Sequence, residues 1–272
     1  MRSLIKIDLV RIFKDKLFLI ATIITGAFSV FTPLLYKLLF SLLDTDGIEG
    51  AGSSMFTPSA RDMFFTSFTP GNNLGLIVPI FVTIILCKDF SWGTVRNKLI
   101  SGKRRWEVFL STFISCSVTM CAFMLTHALL SLAVSLIFFD YGVAFNLAEL
   151  GYMLLSTLLE LLVYVLISAL ISFFSVLTRK AGVAVVLYFA MNFFFSIVGS
   201  ITMIVSSLLS EADAAYAIVT FLDRANIFTS SVIGGGVSYS LSDILYVLVP
   251  TLVGSALLVL LGIKLFSKKD LK

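Results

Sequence analysis

The chain is poor in charge and in the residues that most catalytic and metal sites require. Asp, Glu, Lys and Arg make up 13% of its 272 residues, about half the share in a soluble domain. A single histidine, His127, excludes a His-rich metal site and a paired-histidine protease motif. The sequence has no GxxxxGKS/T phosphate loop, HExxH motif or carboxylate pair with catalytic spacing. We therefore predict that the chain is not an enzyme, with no catalytic residue, metal or cofactor of its own.

Apolar residues dominate what is present. They make up 58% of the chain, and the mean hydropathy is +1.04. The apolar runs are continuous rather than alternating, and a run of about 20 helical residues crosses a bilayer, which favours helices over a β-barrel. We predict an all-α integral membrane protein, a single transmembrane domain over residues 1–272 with six transmembrane helices. The predicted spans are 17–43, 71–87, 108–139, 150–178, 181–209 and 244–266.

The basic residues are divided unequally between the segments that join these spans. Seventeen lie on the side of both termini and three, Lys37, Arg61 and Arg224, on the other side. Because basic loops stay in the cytoplasm, both termini are predicted to be cytoplasmic, in a multi-pass protein of the cell membrane. The net charge of +4 follows membrane sides rather than one face, so no nucleic-acid partner is expected.

Residues 1–16 are predicted to form an amphipathic interface helix in the headgroup plane. Ile5, Leu9, Ile12 and Phe13 recur at helical spacing, and the charged residues fall on the opposite side: Asp8, Arg11 and Asp15. The alternative is a plain cytoplasmic extension of the first span. The basic region is too long for a signal peptide, so we expect this segment to be retained.

The two longest connections on the outer side differ in composition. Residues 44–70, with Gly47, Gly50 and Gly52, are predicted to be a loop without an element. Residues 210–243 are too apolar for a free loop and too interrupted for a span, which favours an interfacial or re-entrant segment. Gly234, Gly235 and Gly236 within it predict a flexible turn. These loops contain no cysteine, and Cys87, Cys116 and Cys121 lie in or beside spans, so we expect no disulfide framework.

The cytoplasmic loop 88–107 is a dense basic segment that holds six of the 20 Lys and Arg residues. Thr94 is a plausible N-cap, Val95 and Leu99 lie one turn apart, and Gly102 can end a helix. Trp92 and Trp106 bracket the segment, and tryptophan favours the membrane interface. We predict a short helix along the inner surface; the alternative is a loop that only sets topology.

The residue series in this loop resembles that of ABC type-2 exporter permeases. The series comprises Asp89, Gly93, Thr94, Arg96, Asn97, Leu99, Gly102 and Arg104 or Arg105. Asp89 stands where the family usually has Glu, and Trp92 stands where a charged residue is common. The resemblance implies a coupling helix that docks on a separate ABC ATPase subunit, which would bind ATP and magnesium. It implies that Trp92, Arg104 and Arg105 also contribute, and that Arg179 and Lys180 form a second contact.

The same resemblance implies function. It points to a homodimeric or heterodimeric permease that exports amphipathic molecules such as antimicrobial peptides, antibiotics or lipid-like compounds.

Polar residues inside the spans form two stripes at four-residue spacing. One stripe is Ser156, Glu160, Tyr164, Ser168 and Ser172, and the other is Tyr188, Asn192, Ser196 and Ser200. Glu160, Tyr164, Asn192 and Ser196 are candidates for a substrate path or a subunit seam, and the alternative is ordinary helix packing. Glu160 also supports a different function, an ion-coupled carrier or channel-like protein. His127 is predicted to be a hydrogen-bonded helix residue that reaches Ser131.

Overall fold

The computed structural model describes residues 1–45, 58–70, 73–209, 214–226, 228 and 238–268. Within these residues every regular element is a helix, which confirms the predicted all-α class. The ten helices are α1 Arg2–Lys14, α2 Lys16–Thr45, α3 Ala60–Phe68, α4 Asn73–Ser91, α5 Thr94–Ile100, α6 Arg105–Phe138, α7 Leu147–Thr178, α8 Ala181–Leu208, α9 Ala214–Ala225 and α10 Leu241–Lys268.

Five of these helices, α2, α6, α7, α8 and α10, are long and apolar enough to cross a membrane. Helix α4 reaches that criterion only together with α5, from which it is separated by a bend of 54°. The six predicted spans therefore correspond to α2, α4, α6, α7, α8 and α10. The shortest predicted span, 71–87, corresponds to α4, which is the first helix of the bent pair.

Helix α7 is the centre of the bundle. In its most apolar window 61% of the residues are buried inside the chain, against 33% or less in the other four long helices. It packs against α6, α8 and α10, and Leu159, Val163, Tyr164 and Ile167 lie in the main core. The outward faces of the other helices retain large exposed apolar side chains, as expected of helices surrounded by lipid.

The prediction that 44–70 contains no element was wrong for residues 60–68. Helix α3 begins with a capping box, in which Asp62 N–H donates to Ser59 Oγ and Ser59 N–H donates to Asp62 Oδ2, both at 3.1 Å. Phe64, Phe65 and Phe68 are buried in the main core. The cap and the aromatic residues, rather than the preceding glycines, decide this stretch. Residues 46–57, which include those glycines, lie outside the described residues.

One end of the bundle gathers α1, the α4–α5 bend, the start of α6 and the ends of α7 and α10. Ser111 on α6 donates to Asp8 on α1 at 2.7 Å, and Arg105 donates to the carbonyl of Phe266 at 3.2 Å. The first helix and the last described turn of α10 are thus at the same end as the basic loop. This arrangement agrees with an even number of crossings.

The opposite end of the bundle carries α3, α9 and the turn that follows α6. Ala60 N–H donates to the carbonyl of Asp140 at 3.0 Å, and Arg61 pairs with buried Glu149 at 2.7 Å. Helix α9 supplies the helix expected within 210–243. It packs on α8 through Thr202 Oγ1 and Asp223 at 3.0 Å, and on α10 through the rings of Phe221 and Tyr246. The predicted glycine turn at 234–236 lies outside the described residues.

Candidate docking surface and the charge network beneath it

The bend between α4 and α5 depends on a glycine. Gly93 has φ of +70°, in the left-handed region, and its carbonyl accepts the N–H of Asn97 at 2.9 Å. Gly93 is therefore the N-cap of α5, and the prediction of Thr94 was wrong by one residue, because only glycine adopts this conformation without strain. Thr94 is the first helical residue. Gly102, with φ of +83°, follows the helix as its predicted stop.

The inner face of α5 is apolar and packed. Val95 is buried in a small cluster with Val108 and Phe109 of α6, Val176 of α7 and Phe266 of α10, and Leu99 packs against the same cluster. The predicted pairing of Val95 and Leu99 on one face is confirmed. A two-turn helix alone would be marginal in water. Contact with three long helices holds it in place.

The outer face of α5 and its flanks is exposed, and we call it the docking surface. It consists of Trp92, Arg96, Asn97, Ile100 and Arg104. Trp92 is 69% exposed and Ile100 is 74% exposed, although both are large apolar residues. The side chains therefore combine two cations, one amide and two apolar groups. This composition, with aromatic residues and arginine, is typical of protein interfaces.

Asp89 does not belong to the docking surface, although the family resemblance placed it in the coupling set. It is only 3% exposed and accepts a hydrogen bond from Arg11 on α1. A partner protein cannot reach it in this structure. Asp89 supports the surface from below instead.

Four charged side chains form what we call the charge network: Asp8 and Arg11 from α1, Asp89 from α4 and Lys98 from α5. Lys98 Nζ donates to Asp8 Oδ1 at 2.6 Å and lies 4.0 Å from Asp89 Oδ2. Two acids and two bases make the set neutral. Asp8 is 1% exposed, and a buried carboxylate requires both an opposite charge and hydrogen bonds. Lys98 and the hydroxyl of Ser111 supply them.

The network turns part of the predicted charged side of α1 toward the protein. The amphipathic helix is present, but Leu4, Asp8 and Ile12 face the protein, whereas Ile7, Val10 and Phe13 are 61%, 44% and 46% exposed. The charged side was expected to lie away from the apolar contact surface. Asp8 turns inward because the bend brings Lys98 to it. Lys88 and Asp89, at the end of α4, meet Asp15 and Arg11. Opposite charges in the two segments were visible in sequence, but their proximity was not.

A third pair extends this contact between α1 and the basic loop. Lys88 Nζ donates to Asp15 Oδ2 at 2.8 Å, and Leu17 N–H donates to Asp15 Oδ1 at 2.9 Å. Burial by itself raises the pKa of Asp15, but the Lys88 and Leu17 hydrogen bonds outweigh it and hold the pKa below its ordinary value. Asp15 therefore links the start of α2 to the end of α4.

The remaining basic candidates occupy different environments. Arg105 donates to the carbonyls of Phe266 and Ser267, at 3.2 and 3.1 Å, where a cation stabilises the end of α10. Arg179 ends α7 in a left-handed conformation, φ of 57°. Its Nε and Nη2 are buried and make no hydrogen bond within the described residues. Neighbouring Lys180 is exposed. Unsatisfied guanidinium donors are costly, which makes Arg179 a notable feature of this end.

The intramembrane candidates lie deep in the bundle. Glu160, Tyr164 and Asn192 are 3%, 0% and 5% exposed, so another copy cannot contact them in this conformation, and Ser196 is half-buried. Tyr164 donates to the carbonyl of Phe68 at 3.2 Å rather than to Glu160. Glu160 Oε1 has no hydrogen-bond partner in the described part of the chain. Ser156 and Ser168 donate to carbonyls of their own helix, as packing serines do.

His127 bonds to a different serine from the one expected. Its Nδ1 lies 2.5 Å from Ser29 Oγ on α2, and Ser29 donates its proton to the carbonyl of Thr25 at 2.9 Å. Which of Ser29 Oγ and His127 Nδ1 is the donor depends on the tautomer of the histidine. Ser131 instead lies beside His127 in the lining of a polar pocket of about 320 Å³ between α2, α3 and α6. The histidine therefore joins α6 to α2.

Almost the whole chain matches one known family. A family model described as "Protein of unknown function (DUF2705)" matches residues 17–272. The chain belongs to the DUF2705 family. No curated protein matches it. The matched region contains Lys88, Asp89 and Lys98, whereas their partners Asp15, Arg11 and Asp8 precede it. In this DUF2705 protein the charge network therefore joins the matched region to the helix before it.

The charge network yields a stability prediction for this DUF2705 protein. Replacement of Lys98 with Met leaves Asp8 buried without its nearest cation. We expect the free energy of unfolding to fall by about 3 kcal/mol, which is the lower end for a broken buried ion pair. The loss is at the lower end because Arg11 still lies 3.8 Å from Asp8. Thermal unfolding of the detergent-solubilised protein measures it. Lys6→Met is the matched control, since Lys6 is exposed on α1, the helix that carries Asp8. Asp8→Asn added to Lys98→Met should recover part of the loss; equal effects of the Lys98 and Lys6 variants would contradict this role.

The Asp15 pair yields a pH dependence. A folded-state pKa below the ordinary value of about 3.9 means that ionised Asp15 stabilises the fold above that value. The contribution is lost as the pH falls through the lowered folded pKa. Asp15→Asn should therefore lower the unfolding temperature at neutral pH, and the difference from wild type should vanish in acid. Unfolding curves of both proteins from pH 7 downward test this. A difference that stays constant with pH would show that the carboxylate charge is not responsible.

Proposed function

We propose that this protein is the transmembrane permease subunit of an ATP-driven exporter, similar to the ABC type-2 permeases. The observation that supports this most is the two-sided construction of α5. Its outer face exposes Trp92, Arg96, Asn97 and Ile100, whereas its inner face is packed and ion-paired. A segment that only set topology would need positive charge but no such attachment.

The attachments of α5 provide a route for force. Val95 contacts the ends of α7 and α10 through Val176 and Phe266, and Lys98 contacts α1 through Asp8. Movement of α5 by a docked partner would therefore displace three other helices together. The ATPase subunit would bind ATP and magnesium, and the permease would convert its motion into a change of the membrane helices.

The second expected contact fits the end of α7. Arg179 is half-buried, and its exposed part would offer positive charge to an acidic or carbonyl group of the ATPase at the α7–α8 turn. Exposed Lys180 adds positive charge beside it. Because α7 is the most buried long helix, a contact at its end acts on the centre of the bundle.

Orientation, assembly and cargo complete the proposal. The end with α1, α5 and the last turn of α10 would face the cytoplasm, in the cell membrane, as the basic residues indicate. Two copies, or one copy and a paralogue, would enclose the path for an amphipathic molecule such as an antimicrobial peptide, antibiotic or lipid-like compound. Numerous exposed apolar side chains on α8 and α10 are compatible with lipid contact and with such a pairing.

Charge reversal on the docking surface tests the proposal. Arg96→Glu should prevent co-purification of an ATPase subunit from native membranes and abolish substrate-stimulated ATP hydrolysis, because an exposed interface arginine would become repulsive. Membrane insertion and thermal stability should not change, since Arg96 is exposed and lies on the outer face.

The matched control is Lys37→Glu, which makes the same charge change on an exposed residue near the opposite end of α2. It should retain the ATPase subunit. If wild-type protein brings down no ATPase, or if Arg96→Glu binds and couples as well as Lys37→Glu, the exporter proposal fails.

One observation supports a second function, an ion-coupled carrier. Glu160 is buried at 3% exposure with an unpartnered Oε1, and ionisable residues at such depth are often functional. In that case Glu160→Gln should abolish ion-driven transport in proteoliposomes that contain no ATPase. Ser156→Ala, one turn away on the same buried stripe, should have little effect. Transport that survives Glu160→Gln at every pH would assign Glu160 to packing.

A further inference from the structure

We propose that the cleft between α9 and α10 binds a lipid with an anionic phosphate headgroup, with an acyl chain in the cleft and the phosphate on Arg224. This inference is independent of the exporter proposal. The cleft has a volume of about 340 Å³. Apolar groups form most of its wall: Phe221, Ala225, Leu245, Tyr246, Val249 and Pro250.

The cleft opens onto an apolar surface. On α9, Ile218 and Phe221 are 63% and 54% exposed, and on α10, Leu245 and Val249 are 47% and 49% exposed. Since α10 is long and apolar enough to span a membrane, this surface faces hydrocarbon at the end of the bundle opposite α5. An acyl chain can therefore enter sideways from the bilayer.

Arg224 places a positive charge beside the cleft. Its guanidinium lies 5.6 Å from the ring centre of Tyr246, which lines the cleft. Its side chain is 41% exposed, and its Nη1 is 3.6 Å from Asp243 Oδ1, beyond hydrogen-bonding distance. Arg61 at the same end differs, since its side chain is 11% exposed and bonded to Glu149 at 2.7 Å. The guanidinium of Arg224 is therefore available to bind a phosphate.

The nearby acids have hydrogen-bond partners other than Arg224. Asp243 accepts hydrogen bonds from Ser240 N–H at 3.1 Å and Ser240 Oγ at 2.7 Å, which cap the start of α10. Asp223 accepts from Thr202 Oγ1 at 3.0 Å. Both carboxylates keep these partners if the guanidinium turns to a ligand. Arginine binds phosphate through paired, charge-assisted hydrogen bonds, which are stronger than its loose contact with Asp243.

The experiment is native mass spectrometry of the full, detergent-solubilised chain with three probes: phosphatidylglycerol, diacylglycerol and inorganic phosphate. We expect phosphatidylglycerol to bind at least about tenfold more tightly than diacylglycerol, and inorganic phosphate to bind far more weakly. Arg224→Gln should remove the preference for phosphatidylglycerol. Lys37→Gln, which removes an exposed charge elsewhere, should leave it unchanged.

A second variant tests the acyl-chain half of the site. Val249→Trp places a large ring in the cleft from a half-exposed position. It should weaken the binding of both phosphatidylglycerol and diacylglycerol, while the unfolding temperature stays near that of the wild type. Should that variant misfold, Ala225→Leu fills the same cleft from α9. The proposal is overturned if Arg224→Gln retains the preference, if Lys37→Gln loses it equally, or if filling the cleft leaves lipid binding intact.

Discussion

The neutralisation of buried Asp8 by Lys98 is the interaction on which the basic end of this protein depends. A carboxylate at 1% exposure is tolerable only with an opposite charge and donors in contact with it. To supply them, α1 must lie against α6, and the chain after α4 must bend so that Lys98 points inward. Gly93 permits that bend, and Asp89 and Arg11 complete a neutral set. The outward presentation of Trp92, Arg96 and Ile100 follows from the same geometry.

This arrangement separates two tasks within seven helical residues. The inner face of α5 is committed to Val108, Phe109, Val176 and Phe266, so it moves with the long helices. The outer face has no such commitment and combines cations with exposed apolar groups. A short helix built in this way is suited to transmit movement. Because its inner face is packed against the long helices, a displacement of α5 would move those helices with it. The chain belongs to the DUF2705 family, and the docking of a partner protein on α5 is our proposal.

The opposite end of the bundle is organised by different pairs. Arg61 is enclosed by Glu149 and the rings of Phe65 and Tyr152, so its charge is used within the fold. Arg224 has a longer ion pair and a more exposed side chain. Two arginines at one end of the molecule therefore differ in availability, although sequence alone treats them alike. Only the second lies beside an apolar cleft.

The sequence by itself determined the helical class, the long apolar segments and the gathering of basic residues, because hydropathy and helix length are local properties. It also predicted the glycine stop at Gly102 and the inner pair Val95 and Leu99, which depend on helical spacing. It did not predict α3, whose three phenylalanines are stabilised by a core assembled from distant segments. The tertiary structure alone decided that Asp8 and Asp89 are buried and that Arg224 is available. The two buried acids depend on charges 90 and 78 positions apart that meet in a low-dielectric interior. Arg224 depends on how α9 packs beside α10, and no local pattern encodes such proximity.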